Sequence, residues 1–140
     1  MKKFLAALFV AISITAAAPS APAFADERIL DMEVIGTVGI DGSLTVTENL
    51  KVLAENREIK RGIIRVFPTD YPGTDSKRYR TEFSLLSAEI DGKQAQTEVT
   101  RSGGNVRIRI GDPNVMLPRG VHSISLAYRT KGWIAFRESF

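Results

Sequence analysis

Few side chains in this chain could perform acid–base or nucleophilic chemistry. His122 is the only histidine, and the chain has no cysteine. A Ser-His-Asp triad would need this histidine as its base, and a zinc site would need several nitrogen or sulfur ligands. A lone histidine at the start of an alternating strand is more typical of a structural residue. The sequence therefore predicts no catalytic residue, no metal site, no disulfide and no cofactor.

Paired carboxylates are the remaining candidates for catalysis, because two acidic side chains that flank a glycosidic bond can hydrolyse it. The acidic residues of this chain fall on polar strand faces and in loops, and no pair stands out. The ones considered are Asp31 and Glu33, Glu55 and Glu58, and Glu82 and Glu89. We therefore predict a non-enzymatic protein. A carboxylate-dependent hydrolase of envelope polymers is the alternative.

One segment combines positive charge with apolar side chains. Lys60, Arg61 and Arg65 lie within ten residues of Phe67, and more basic residues follow at Lys77, Arg78 and Arg80. A basic loop with an aromatic contact is suited to an anionic headgroup, an anionic polymer or an acidic partner protein. We predict that Lys60, Arg61, Arg65 and Phe67 form a binding site.

A structural role for the same segment is the alternative. Ile63, Val66 and Phe67 would then fill the protein core, while the arginines pair with nearby carboxylates. Charge reversal separates the two hypotheses. At a contact site it abolishes partner binding and leaves the melting temperature nearly unchanged, whereas in a structural segment it lowers the melting temperature.

The first 25 residues have the layout of a secretory signal. Lys2 and Lys3 precede an uncharged run over residues 4–18, and Ala23-Phe24-Ala25 places small residues before Asp26. The apolar run is shorter than the roughly 20 residues of a membrane span. We predict cleavage between Ala25 and Asp26, and an extracytoplasmic chain, periplasmic or at the cell surface, with one domain over residues 26–140.

The charge of the mature chain argues against nucleic acid as a partner. The 140 residues contain 19 Lys and Arg against 16 Asp and Glu. Removal of Lys2 and Lys3 leaves 17 basic against 16 acidic side chains, a net charge of +1. Nucleic-acid-binding domains are strongly basic.

Alternation with period two predicts strands throughout the mature chain. In the second strand Leu44, Val46, Leu50 and Val52 point inward, and Glu48 interrupts this row, which indicates a bulge or a strand edge. The predicted strands are residues 32–38, 43–52, 81–90, 93–101, 106–110 and 121–130, with residues 54–80 as an irregular loop. The fold predicted is all-β, an antiparallel immunoglobulin-like β-sandwich of about seven strands without the Cys…Trp…Cys signature.

Turn signals separate these strands. Asp41-Gly42 predicts a two-residue type I′ hairpin turn, and Asp91-Gly92 and Gly103-Gly104 mark further turns. Asp112-Pro113-Asn114 supplies too few oxygens for calcium and also predicts a turn.

Three groups of residues resemble a known bacterial family. They are Glu27-Arg28-Ile29; Asp41-Gly42-Ser43-Leu44-x-Val46-Thr47-Glu48; and Ile59-x-Arg61-Gly62-Ile63-x-Arg65-x-Phe67-Pro68-Thr69. Ile108-x-Ile110-Gly111, Gly120-x-His122 and Tyr128-Arg129-Thr130 extend the likeness. The chain is similar to the N-terminal extracytoplasmic domain of predicted membrane proteins known as domain of unknown function 2207. Val66 stands where these proteins often have an acidic residue.

The resemblance implies a topology but no activity. Its members have a signal peptide, an extracytoplasmic β-sandwich and transmembrane helices, so membrane association is expected only through a C-terminal region beyond this sequence. Because the chain stops on a run with three aromatic residues, we expect its domain to be truncated. The function predicted is an exported binding or scaffold module that contacts an envelope protein or an anionic polymer. A non-functional truncated gene product is a further alternative.

Overall fold

A computed structural model describes residues 26–73 and 77–133 of the protein. The predicted signal segment and its cleavage at Ala25, and the aromatic run after Trp133, lie outside these residues. In the two ranges described, no helix is long and apolar enough to span a bilayer.

The described chain consists of antiparallel strands without a helix. The strands are β1 (Arg28–Val38), β2 (Ser43–Ala54), β3 (Ile63–Pro68), β4 (Asp70–Pro72), β5 (Arg78–Arg80), β6 (Glu82–Ile90), β7 (Lys93–Gln94), β8 (Thr97–Ser102), β9 (Asn105–Ile110) and β10 (Gly120–Lys131). All but β4, β5 and β7 have six or more residues. The predicted all-β, antiparallel fold is confirmed.

Two sheets enclose the core. The larger has the order β1-β2-β10-β6-β7, the smaller has the order β3-β9-β8, and β4 and β5 form a separate pair. An immunoglobulin-like topology is not confirmed, because β10, the last strand, lies in the middle of the larger sheet.

The core forms where the alternating rows of the two sheets meet. Val46, Leu50 and Val52 on β2 are buried as predicted, as are Val106, Ile108 and Ile110 on β9 and Ile124 and Leu126 on β10. Each such side chain contributes about 1.5–3 kcal/mol when it leaves water. Seven partly buried side chains complete this core, among them Ile59, Ile63 and Phe67.

Two of the predicted turns have the expected backbone, and one differs. Asp91 and Gly92 have φ of 52° and 72°, and Gly103 and Gly104 have φ of 56° and 75°. Both pairs are the left-handed centres of two-residue hairpins. The prediction for Asp41-Gly42 is wrong in its length, because β1 and β2 are joined by the four residues 39–42 and only Gly42 has a positive φ, 75°.

The prediction of an irregular loop over residues 54–80 is also wrong. β3 runs from Ile63 to Pro68 and pairs with β9 from Ile63↔Ile110 to Pro68↔Asn105. Its inward row is Ile63, Arg65 and Phe67, while Ile64 and Val66 are 48% and 54% exposed. Because apolar residues occupy both faces and an arginine occupies the inward row, the strand does not show the usual alternation.

The first strand is an edge strand that the smaller sheet does not cover. Among the strands that the structure describes, β1 pairs only with β2, through partners such as Met32↔Leu50 and Val34↔Glu48, and a bulge lies between Ile29 and Asp31. Every residue of β1 is exposed. Its inner row faces the same side as the core residues of β2 yet stays in contact with solvent.

Candidate binding surfaces

The structure separates the four residues predicted as a binding site. Lys60 and Arg61 are exposed in the loop between β2 and β3, whereas Arg65 and Phe67 point into the space between the sheets. The further basic residues at 77, 78 and 80 lie at the opposite end of the sandwich, roughly 35 Å away along the twelve residues of β2. The six positive charges therefore do not form one patch.

Arg65 forms an ion pair inside the sandwich. Its Nη2 and Nε atoms lie 2.8 and 2.9 Å from Oε2 of Glu48, whose side chain is only 4% exposed. The hydroxyl of Tyr128 donates to the other carboxylate oxygen at 3.2 Å. Burial, followed by the neighbouring Glu48 carboxylate, raises the pKa of Tyr128 to about 12. This side chain therefore stays a hydrogen-bond donor to Glu48 at any physiological pH.

Glu48 corrects the expectation of a bulge or a strand edge at that position. The register of β2 is continuous past it on both sides, with Val34 opposite on β1 and Leu126 opposite on β10. The carboxylate belongs to the inward row and is tolerated there because Arg65 arrives from the other sheet. A buried charge needs such a partner, and the partner lies 17 residues away in sequence.

Phe67 belongs to a packed aromatic cluster. Its ring centroid lies 4.9 Å from that of Phe83 and 4.7 Å from that of Tyr128, and the Arg65 guanidinium lies 5.5 Å from its centroid. These rings line a cavity of about 180 Å³, together with Tyr71 and Trp133. Ring contacts at such spacings are typical of stabilising pairs, so the geometry favours a structural role for Phe67.

The loop that carries Lys60 and Arg61 is held by Glu27, the residue before β1. The Glu27 carboxylate accepts four backbone N–H groups, from Glu55 and Arg57 at 2.8 Å each, from Ile59 at 2.9 Å, and from Glu58. Desolvation raises the pKa of Glu27, but these hydrogen bonds outweigh it and lower the pKa to about 2. The carboxylate therefore stabilises the loop in its charged form.

An apolar groove runs between the edge strands β1 and β3. It encloses about 370 Å³ and is lined by Ile29, Leu50, Val52, Ile59, Ile63 and Ile64, with Glu58 and Arg65 at its margin. It continues into the inner row of β1, where Met32, Val34 and Val38 are 43%, 54% and 56% exposed. The sequence predicts the apolar row of β1 by its alternation but not its exposure, which depends on where the second sheet ends.

Both ring nitrogens of His122 have hydrogen-bond partners. Nδ1 is 2.7 Å from a carboxylate oxygen of Asp91, and Nε2 is 2.7 Å from the carbonyl oxygen of Pro118. Since both partners are acceptors, both ring nitrogens donate, which is the bonding of an imidazolium. Burial lowers the pKa of His122, but the two hydrogen bonds outweigh it and the pKa is raised, while the bond to His122 lowers the pKa of Asp91.

The carboxylates considered for hydrolysis lie in three places. Asp31, Glu33 and Glu89 border an open depression of about 540 Å³ on the outer face of the larger sheet, where Glu33 accepts from Nδ2 of Asn49 at 3.0 Å. Glu55 and Glu58 lie in the loop clamped by Glu27, and Glu82 begins β6. Within the described part of the chain, no three Asp, Glu or His side chains are grouped closely enough to hold a metal ion.

Comparison with known proteins confirms the family resemblance predicted from the sequence. The model of the family described as "Predicted membrane protein (DUF2207) N-terminal domain" matches residues 28–140. The chain is 27% identical over 127 residues to the uncharacterized protein YciQ of Escherichia coli strain K12, and this match covers 91% of the chain. The chain spans only about a fifth (20%) of that relative. No solved structure matches the chain significantly.

Proposed function

Since the chain belongs to the family of predicted membrane proteins with the DUF2207 N-terminal domain, we propose that it is an exported, extracytoplasmic binding module without enzymatic activity. Its ligand is an extended segment of an envelope protein, which adds as a strand to the free edge of β1. The signal-like layout of residues 1–25 supports export.

The observation that carries this proposal is the state of β1. The strand has eleven residues, and no strand among residues 26–73 and 77–133 pairs with one whole edge of its backbone. Exposed edges of this kind are normally guarded by Lys, by Pro or by a covering element. Residues 32–38 contain no Lys, Arg or Pro, and their only charge, Glu33, is bonded to Asn49. The edge is therefore open to another strand.

The side chains around the edge indicate what kind of strand fits. Inner-row residues of the partner would cover Met32, Val34 and Val38 and reach the groove between β1 and β3. On the outer face, Asp31 and Glu33 favour Lys or Arg at the opposing positions, because opposite charges across paired strands stabilise a sheet. The partner segment therefore alternates apolar residues with polar, basic ones.

Site-specific photocrosslinking tests this proposal in the exported chain within its own cells. A benzophenone side chain placed at Met32, and separately at Val34, should capture the same partner segment. Moving the probe by two residues should move the crosslinked position by two residues along that segment, since side chains on one face of a strand repeat with period two. Crosslinked positions that do not follow this register would overturn the proposal.

A matched pair of substitutions supplies the control. Met32→Lys adds a charge to the inner row of β1, whereas Val121→Lys adds the same charge at a residue with 55% exposure on the central strand β10. Capture should be lost in the first variant and kept in the second. Equal loss in both, or crosslinks from β1 to β1 of a second copy, would contradict binding of an envelope-protein segment.

A further inference from the structure

We propose that the end of the sandwich from which the chain leaves β10 rests on an anionic lipid surface. This exit-end surface consists of Ile40, Tyr79 and Trp133 together with Lys77, Arg80 and Lys131. It lies at the end of β1 opposite to the groove between β1 and β3, and binding at one surface does not require binding at the other.

Contacts between neighbouring residues place the members of the exit-end surface at one end of the sandwich. Lys131 pairs with Ser43 at the start of β2, and its Nζ lies 3.6 Å from a carboxylate oxygen of Asp41, the neighbour of Ile40. Trp133 packs edge-on against Tyr71, with ring centroids 4.6 Å apart, and Tyr71 pairs with Tyr79 across β4 and β5. The β1–β2 hairpin, the end of β10 and the β4–β5 pair therefore lie at the same end of the sandwich.

Its most exposed member has no partner within the described structure. Ile40 lies in the turn between Gly39 and Asp41 and is 101% exposed, while Tyr79 and Trp133 are 54% and 49% exposed. A turn tip normally carries polar residues, so an isoleucine there indicates contact with something apolar. Tryptophan and tyrosine are the side chains most enriched where protein meets the headgroup region of a bilayer.

The exit end has a small excess of positive charge. Its segments (residues 39–42, 69–82 and 129–133) carry five basic side chains against four acidic ones. The basic ones are Lys77, Arg78, Arg80, Arg129 and Lys131, and the acidic ones are Asp41, Asp70, Asp75 and Glu82. The segments of the opposite end (residues 26–28, 55–62, 91–93 and 111–119) carry six of each. Arg78 pairs with Asp70, and Arg129 and Lys131 pair with Asp41. Lys77 and Arg80 lie within two residues of the exposed Tyr79, so positive charge lies beside an aromatic side chain, as binding to anionic headgroups requires.

Trp133 provides the measurement, because it is the only tryptophan in the chain. The chain, purified after export, is mixed with vesicles of phosphatidylglycerol and phosphatidylethanolamine or with vesicles of phosphatidylcholine alone. We expect a blue shift of its fluorescence and quenching by brominated acyl chains with the anionic vesicles only. No shift with either kind of vesicle, or equal shifts with both, would overturn the proposal.

Two triple variants of matched composition locate the contact. Ile40→Ser with Lys77→Glu and Arg80→Glu changes the exit end, and Val115→Ser with Lys93→Glu and Arg119→Glu makes equivalent changes at the other end. Sedimentation with the anionic vesicles should weaken at least tenfold in the first variant and less than twofold in the second. Equal weakening would show a general charge effect and contradict the proposed surface. Circular dichroism of both variants ensures that folded proteins are compared.

Discussion

Arg65 and Glu48 join the two sheets through a charged pair with its oxygen–nitrogen contact at 2.8 Å, and the carboxylate is nearly inaccessible to solvent. Arg65 itself keeps 29% of its side-chain surface exposed. Removal of Arg65 and removal of Glu48 therefore have different consequences. An unpaired arginine can reach water, whereas an unpaired Glu48 stays buried with only the Tyr128 hydroxyl as a donor.

The first prediction follows from this asymmetry. Arg65→Leu should lower the free energy of unfolding by about 3 kcal/mol, because it strands a buried carboxylate. Glu48→Leu should cost less, and Glu48→Leu combined with Arg65→Leu should cost less than Arg65→Leu alone. Urea unfolding of the four proteins measures this. A double variant as unstable as the sum of its single changes would show that the pair is not coupled.

The second prediction compares two residues of the predicted binding site, Phe67 in the core and Arg61 in the loop. Phe67→Ala should destabilise the protein by about 3 kcal/mol, because it empties the centre of the Phe67, Phe83 and Tyr128 cluster. Arg61→Glu should change the free energy of unfolding by less than about 0.5 kcal/mol, because its side chain is exposed in the loop. Thermal unfolding of both variants tests this. A comparable loss in Arg61→Glu would contradict the observed placement.

The third prediction concerns pH and His122. Its pKa is raised in the folded protein, so the stabilisation from its bonds to Asp91 and Pro118 is complete below the unfolded pKa of about 6.5. It is lost as the pH rises through the folded pKa. The free energy of unfolding should therefore fall on the alkaline side of pH 6.5.

Two variants test whether His122 and its bond to Asp91 cause this pH dependence. His122→Gln removes the titrating group, and Asp91→Asn removes its charged partner while keeping a residue that tolerates the left-handed backbone at position 91. Both should flatten the alkaline decline. Because the pKa of Asp91 is lowered, its own contribution should disappear only as the pH falls below about 4. An alkaline decline that persists in His122→Gln would contradict the assignment.

The fourth prediction concerns acid and the loop that carries Lys60 and Arg61. The pKa of Glu27 is about 2 in the folded protein, below its ordinary value of 4.5, so the clamp is complete above pH 4.5 and is lost as the pH falls through 2. In Glu27→Gln the clamp is weakened at neutral pH. Hydrogen exchange of the amides of residues 55, 57, 58 and 59 should be fast in that variant and slow in the native protein. Equal exchange would refute the clamp.

The strands with clean alternation were predictable from the sequence, and β3 was not. β2, β9 and β10 carry one apolar row each, so local pattern alone defines both their conformation and their buried face. β3 has Ile64 and Val66 on its exposed face and Arg65 on its buried face. Its conformation depends on pairing with β9, more than 40 residues later, and on the carboxylate of Glu48. A local sequence pattern contains neither the pairing with β9 nor the contact with Glu48.

The candidate surfaces were also only partly predictable from the sequence. Lys60, Arg61, Arg65 and Phe67 are close neighbours along the chain, and for this reason the sequence predicts one site. In the structure, the alternation of β3 turns Arg65 and Phe67 inward. The β1 row is exposed because, among the described strands, none of the smaller sheet lies over it. This depends on the topology of the fold and not on the local sequence. The structural role of His122 stays a prediction, and the sequence does not show that its ring contacts Asp91, 31 residues away.

The last prediction concerns two glycines that face each other where the loop after β2 meets the end of β9. Gly62 and Gly111 have φ of 112° and 125°, and a Cβ on either would overlap the carbonyl oxygen before the other and lie 3.1 Å from its Cα. Gly120 has a similar φ, 130°, but open space around it. Gly120→Ala should therefore cost only the backbone strain, about 1–3 kcal/mol. Gly62→Ala and Gly111→Ala should each cost about 1–3 kcal/mol more, because the backbones must separate.

The double variant distinguishes a shared contact from two separate strains. Once one alanine has displaced the loop, the second meets less resistance, so Gly62→Ala with Gly111→Ala should cost less than the sum of the single changes. Urea unfolding of the three single variants and the double variant provides the comparison. Equal costs for all three glycines, or strict additivity of Gly62 and Gly111, would mean that the loop and β9 are not in the close contact that brings Lys60 and Arg61 to this end of the sandwich.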